Sequence, residues 1–177
     1  MNKYLERDRE IINIMNNDNQ ALEKLKNRNI LVLGVGSILM ADEGIGVHIV
    51  KKMESLELPE NVELLDGGTA ALDLIPYLKG KDKIIIIDCI DTDDPAGTIY
   101  RLAPEDLEDI KTFTISSMHQ IGLAETIKMS RLLGNEADVI IIGITPKTYS
   151  EYSLEISPEL ESITPKVIEI VLKEIQS

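Results

Sequence analysis

Three remote positions carry the residue types of a transition-metal site: a carboxylate at Asp42-Glu43, a carboxylate at Asp88, and the imidazole of His119, one of only two histidines in the chain. One nitrogen and two oxygen donors suit a divalent ion of the first transition row. Each acid lies just past a predicted strand, and His119 opens a predicted helix. A helix start lowers the pKa of an imidazole, which keeps it in the neutral form that a ligand requires. Asp88 follows four consecutive isoleucines, Ile84 to Ile87. A carboxylate buried there is costly unless it is paired or bound to metal, so its type at that place points to function.

The neighbouring acids and thiol read differently. Asp42-Glu43 also fit a helix cap with a first-turn acid. Asp66 precedes Gly67-Gly68 and reads as a turn former, and Asp91 as solvated. His48 follows Glu43 by five residues, a spacing that does not share a helical face, and reads as surface or packing. Cys89 points away from Asp88 by strand alternation and reads as a buried, inert thiol. No Ser-His or Cys-His pairing is visible, so a covalent route is not expected. The run GVGSILMADEGIG is only loosely like a dinucleotide loop, because Leu39 stands where the fingerprint needs its third glycine. Acids at that helix start would also repel a pyrophosphate.

The elements that must position these residues follow from periodicity. Asn29 to Gly36, Asn61 to Gly68, Lys83 to Asp91 and Ala137 to Pro146 read as strands; the first, third and fourth are continuous apolar runs, as strands buried on both faces are. Gly97 to Ala103 is shorter and alternates, which predicts a sheet edge and suits an antiparallel strand. Helices are predicted from Glu43 to Leu56, from Ala70 to Leu78 with Thr69 as cap, over a short acidic stretch near Pro104 to Ile110, from Met118 to Leu133 with Ser117 as cap, and from Pro158 to Glu174. The order β-α-β-α-β-β-α-β-α predicts an α/β fold, a three-layer α/β/α sandwich on a mostly parallel sheet. Sites in such sheets gather at the carboxyl ends of the strands, where all of these candidates fall. Residues 1–28 read as an N-terminal helical extension with Ile11, Met15, Leu22 and Leu25 roughly on one stripe; residues 29–177 form the main domain.

Composition excludes several classes. A net charge of −13 argues against a nucleic-acid partner and against docking on an anionic membrane. No apolar run is long enough to span a bilayer, and the charged N-terminus lacks a signal-peptide core, so a cytoplasmic location is expected. A single Cys excludes an internal disulfide and a cysteine-based zinc site.

Four blocks occur in order: ILVLGVGSILMADEGIGV, VELLDGGTA, IIIIDCID and MHQIGLAE. With these the chain resembles the maturation endopeptidases that process the large subunit of [NiFe] hydrogenases, over roughly Asn29 to Ile175. The resemblance implies a mixed five-stranded sheet with one antiparallel strand, of the phosphorylase/hydrolase-like kind. It implies metal ligands at Glu43, Asp88 and His119, and places Asp66 near the cleft. It further implies an endopeptidase that removes a short C-terminal peptide from the precursor once nickel is inserted. Nickel, carried by the precursor, is then the recognition handle, and other divalent metals substitute for it. The metal would polarise the scissile carbonyl or activate a water, or Asp88 or Asp66 would act as general base. Two other readings are a metal-binding chaperone that docks on the same precursor without cutting and a nucleotide-binding domain using Gly34 to Gly36. Ser37 stands where the family usually has Asn, and the extension before residue 29 is unusual for it.

Overall fold

The computed structural model describes residues 28–106, 118–148 and 152–177, and of residues 118–121 the backbone alone. Five strands form one sheet in the order β2-β1-β3-β5-β4. They are β1 (Ile30–Val35), β2 (Val62–Gly68), β3 (Lys83–Cys89), β4 (Ile99–Leu102) and β5 (Asp138–Ile144). All neighbours are parallel except β4, which runs antiparallel to β5 at the edge. The alternation of Gly97 to Ala103 was a sound basis for an edge strand, since only one face of it needs to be buried.

Two apolar layers sandwich the sheet. On one face Ile85, Ile87, Ile142 and Val32 pack against α1 (Ile45–Met53) and α4 (Pro158–Ile175), through Ile49, Met53, Leu160 and Val167. On the other, Leu31, Leu33, Ile84, Ile86 and Ile141 pack against α2 (Ile75–Leu78) and α3 (Met118–Leu132), through Leu78, Leu123 and Ile127. The four isoleucines of β3 thus divide two and two between the layers, as period-2 alternation requires. Each is worth roughly 1.5–3 kcal/mol of burial, so β3 anchors both layers. No helix among the described residues is long and apolar enough to cross a membrane.

Helix starts differ from the sequence reading. The stretch expected to begin a helix at Glu43 begins with a 3-10 turn, Ala41–Gly44, and the α-helix starts only at Ile45 and stops at Met53. Thr69 does not cap the second helix: a 3-10 turn at Leu72–Leu74 precedes a single helical turn with Pro76 in its first positions. Proline has no amide hydrogen and fits a first turn, where that hydrogen would have no helical partner. In α4, by contrast, Ser157 caps as such a residue should, accepting from the Leu160 N–H at 3.4 Å. All but the last residue of the expected extension over residues 1–28, most of the acidic helix near Pro104 to Ile110, and the Ser117 cap lie outside the described residues.

Candidate active site

The strand order reverses between β1 and β3: the chain leaves β1 towards β2 and leaves β3 towards β5. The crevice at the carboxyl ends of such a pair is where ligands enter an open α/β sheet. Two close backbone approaches close the floor of that crevice. Gly36, with φ 120°, passes so near the turn that a Cβ on it would lie 1.8 Å from the Glu43 carbonyl oxygen. Gly46 lies against β3, where a Cβ would stand 2.1 Å from the Ile87 carbonyl oxygen. Glycine is needed at both, and the second seats the start of α1 on the residue before Asp88.

Glu43 and Asp88 therefore share one electrostatic environment. Asp88 is 6% exposed. Burial pushes its carboxyl up to about 7, the Cys89 N–H bonded to Oδ1 at 2.8 Å pulls the other way, and the charge of Glu43 raises it further. Alternation puts Asp88 on the face of Ile84 and Ile86, the face covered by α3 through Leu123 and Ile127. His119 is the second residue of that helix; its side chain lies outside the described residues. Among the described side chains, no three metal-ligating groups converge.

Asp66 ends up in different company. Its Oδ1 accepts from the Gly68 N–H at 3.0 Å, the turn-forming bond expected of an Asp before glycines, and its Oδ2 pairs with Lys51 at 3.2 Å. The Gly68 carbonyl in turn accepts from Gly36 N–H at 2.8 Å, which links the end of β2 to the loop after β1. Asp66 thus ends β2 with its carboxylate oriented from two sides, by the Gly68 N–H and by Lys51 of α1.

A family model described as hydrogenase maturation protease matches residues 47–174. The chain belongs to the hydrogenase maturation protease family. It is 38% identical over 146 residues to the hydrogenase 2 maturation protease of Escherichia coli, a match covering 81% of this chain and 88% of that protein. The structure of the hydrogenase maturating endopeptidase HybD from E. coli superposes with a TM-score of 0.77 at 36% identity, over 84% of this chain and 92% of that one. The [NiFe] hydrogenase maturation protease HybD from Thermococcus kodakarensis superposes with a TM-score of 0.71 at 27% identity, over 83% and 99% respectively. The enzyme is a hydrolase of peptide bonds, and its five-stranded mixed sheet is that of these relatives.

Within this maturation protease the Asp42-Glu43 pair is split by the fold. The turn has no side-chain cap, so the capping role expected there is not what Asp42 does. Asp42 is fully buried, and its oxygens accept from the backbone N–H groups of Lys147 (2.9 Å), Thr148 (3.2 Å) and Ser157 (2.6 Å). These partners are 105, 106 and 115 residues away in sequence, so no local pattern could have disclosed them. His48 is half-buried with Nε2 enclosed and unbonded among the described residues; burial, then Lys51 and Lys52, lower its pKa. Cys89 is buried in the layer under α1 and α4. Burial first, then the charges of Asp88 and Glu43, push its thiol well up, which makes it the poor nucleophile expected.

Proposed function

We propose that this protease removes a C-terminal peptide from the large-subunit precursor of a [NiFe] hydrogenase, and that nickel already seated in the precursor is the handle it recognises. The observation that carries the reading is the Glu43–Asp88 pair at the β1/β3 crevice. Burial pushes the Asp88 carboxyl up to about 7, and the charge of Glu43 raises it further. A cation beside Asp88 would turn that penalty into attraction. His119, at the start of the helix covering the Asp88 face, supplies the nitrogen donor. Three protein ligands leave positions open, so the site can complete the shell of a metal the precursor still holds.

Bound nickel would polarise the scissile carbonyl and acidify a water beside it. The chain's own residues do the rest. Glu43, Asp88 and His119 fix the precursor's tail at the crevice. Asp66, oriented by the Gly68 N–H and Lys51, takes the proton from the attacking water as general base and returns it to the departing amine. Asp88, whose carboxyl burial pushes up to about 7, would in its ionised form be the alternative base.

The test mixes the protein with a nickel-loaded large-subunit precursor, with nickel-free precursor beside it, and follows intact mass. Loss of a C-terminal peptide from the loaded sample alone is the expected result. Equal loss from both would remove nickel from the recognition step, and no loss from either would put the docking chaperone in front.

A further inference from the structure

The turn that carries Glu43 is held from two directions, and only one of them is the sheet. From beneath, Gly36 and Gly46 seat it against β1 and β3. From the far side it is tied to the segment before α4, which meets it twice. Met40 and Ser153 form a parallel bridge, with Ala41 N–H donating to the Ser153 carbonyl at 2.9 Å and Ser153 N–H to the Leu39 carbonyl at 3.1 Å. The second tie is the Asp42 carboxylate on the amides of Lys147, Thr148 and Ser157. Between the two ties stands Ala41 with φ 48°, the only non-glycine described residue in the left-handed region. An alanine keeps that conformation only where its surroundings impose it.

The chemistry of the second tie selects a carboxylate. A carboxylate is all acceptor, and here each oxygen meets backbone donors. An amide in its place would turn an NH2 group towards at least one N–H that it cannot accept. The tie uses no side chain of the segment it holds, so it specifies where that backbone lies rather than what its residues are.

We propose that Asp42 is a positioning residue: its buried carboxylate clamps the segment before α4 onto the Ala41–Gly44 turn and so fixes where Glu43 stands relative to Asp88. The inference rests on the reading of Glu43 and Asp88 as a metal-binding pair, but the clamp itself is testable without it.

Two variants break the clamp from opposite ends. Asp42→Asn keeps the shape and loses acceptor capacity. Ser157→Pro removes the amide hydrogen bonded to Oδ1 at a residue whose φ of −62° proline adopts. Because that change also removes the Ser157 cap, Ser157→Ala is its control: the cap goes and the amide stays. Hydrogen exchange on the full chain reads the turn directly through the Glu43 amide, which donates to the Met40 carbonyl at 3.1 Å. Calorimetric titration with Ni2+ alone reads the site.

Asp42→Asn and Ser157→Pro should each expose the Glu43 amide to exchange while β1 and β3 stay protected, and weaken Ni2+ binding about tenfold, the range seen when a ligand loses its outer support. Ser157→Ala should change neither. A folded Asp42→Asn protein with the Glu43 amide still protected overturns the proposal, as does a Ser157→Ala protein that behaves like Ser157→Pro. If the unaltered protein takes up no Ni2+ while the exchange results hold, the metal-site reading fails and the clamp stands.

Discussion

Strand β3 buries a charged side chain at each end, and the two ends are treated in opposite ways. At the amino end Lys83 is 1% exposed, and its ammonium is fully answered. Its Nζ donates to the Glu174 carbonyl at 2.6 Å and to Ser177 Oγ at 2.5 Å, and it pairs with the Glu174 carboxylate at 3.3 Å. Arg101 holds the same carboxylate from outside at 2.6 and 3.2 Å. This end seats the last turn of α4, where a cation on the helix carbonyls is favourable. At the carboxyl end Asp88 is as deeply placed, but it has one backbone N–H, no cation beside it among the described residues, and a like charge at Glu43. Burial of charge therefore does not by itself mark a site. What separates the two is whether the fold supplies the counter-charge. Where it does, the charge holds the structure together; where it withholds it, the carboxylate stands open to the incoming cation proposed above for Asp88.

The sharpest way to break that contrast is to neutralise the unanswered end. Asp88→Asn should lower processing of a nickel-loaded precursor by at least about a hundredfold, roughly 3 kcal/mol of transition-state stabilisation. It should leave the metal-free protein as stable as before or more so, because a buried ionisable group becomes a neutral one. His119→Ala should cost about as much activity with the fold intact. Mass-spectrometric processing rates together with thermal unfolding check both, and a processing rate that survives either change would remove that residue from the site.

The same carboxyl gives the metal-free protein a pH dependence of definite sign. In the folded state Asp88 keeps its proton up to about 7, whereas its ordinary value is 3.8. Between these the folded state binds more protons than the unfolded one, so stability falls as pH rises from about 4 to about 7 and is level above. At about 1.4 kcal/mol per pH unit the loss from this group is on the order of 4 kcal/mol. Chemical denaturation of metal-free protein across that window measures it. Asp88→Asn should remove this component, and an unchanged slope in that variant would assign the effect to other groups.

Lys83 tests the other half. Lys83→Met removes an answered charge, leaves Glu174 still held by Arg101, and should cost about 2–3 kcal/mol of stability, below the full penalty for orphaning a buried partner. Processing at a temperature where the variant is folded should be unchanged. A selective loss of processing would mean that the amino end of β3 also serves the reaction.

This division was half legible in the sequence. The isoleucine run before Asp88 advertised a costly carboxylate, and the glycines ending β1 placed Glu43 just past that strand, because strand burial and strand ends are local patterns; the side chain of His119 lies outside the described residues. The sheet followed from the same patterns, down to the edge strand at Ile99–Leu102. Lys83 was hidden because a lysine beginning a strand is ordinarily solvated, and its partner Glu174 is 91 residues away. Asp42 was hidden for the same reason and was read as a cap alongside Glu43. Adjacent acids look alike in sequence; only the arrival of Lys147, Thr148 and Ser157 tells Asp42, which holds their amides, from Glu43.

The smallest expected effect lies at Ser37, beside these residues. Its contacts with the turn run through the backbone: its carbonyl accepts from the Met40 N–H at 3.1 Å, and the same oxygen would lie 3.0 Å from a Cβ on Gly44. Ser37→Asn changes neither, and asparagine suits a turn as well as serine does. Stability should move by less than about 0.5 kcal/mol, the usual scale for changes that break no buried contact, and processing by less than about twofold. Parallel denaturation and processing of the variant decide the matter. A large loss would mean that the carboxyl end also depends on the side chain at position 37, and that the buried Asp88 carboxyl is screened by a contact beyond the turn's backbone.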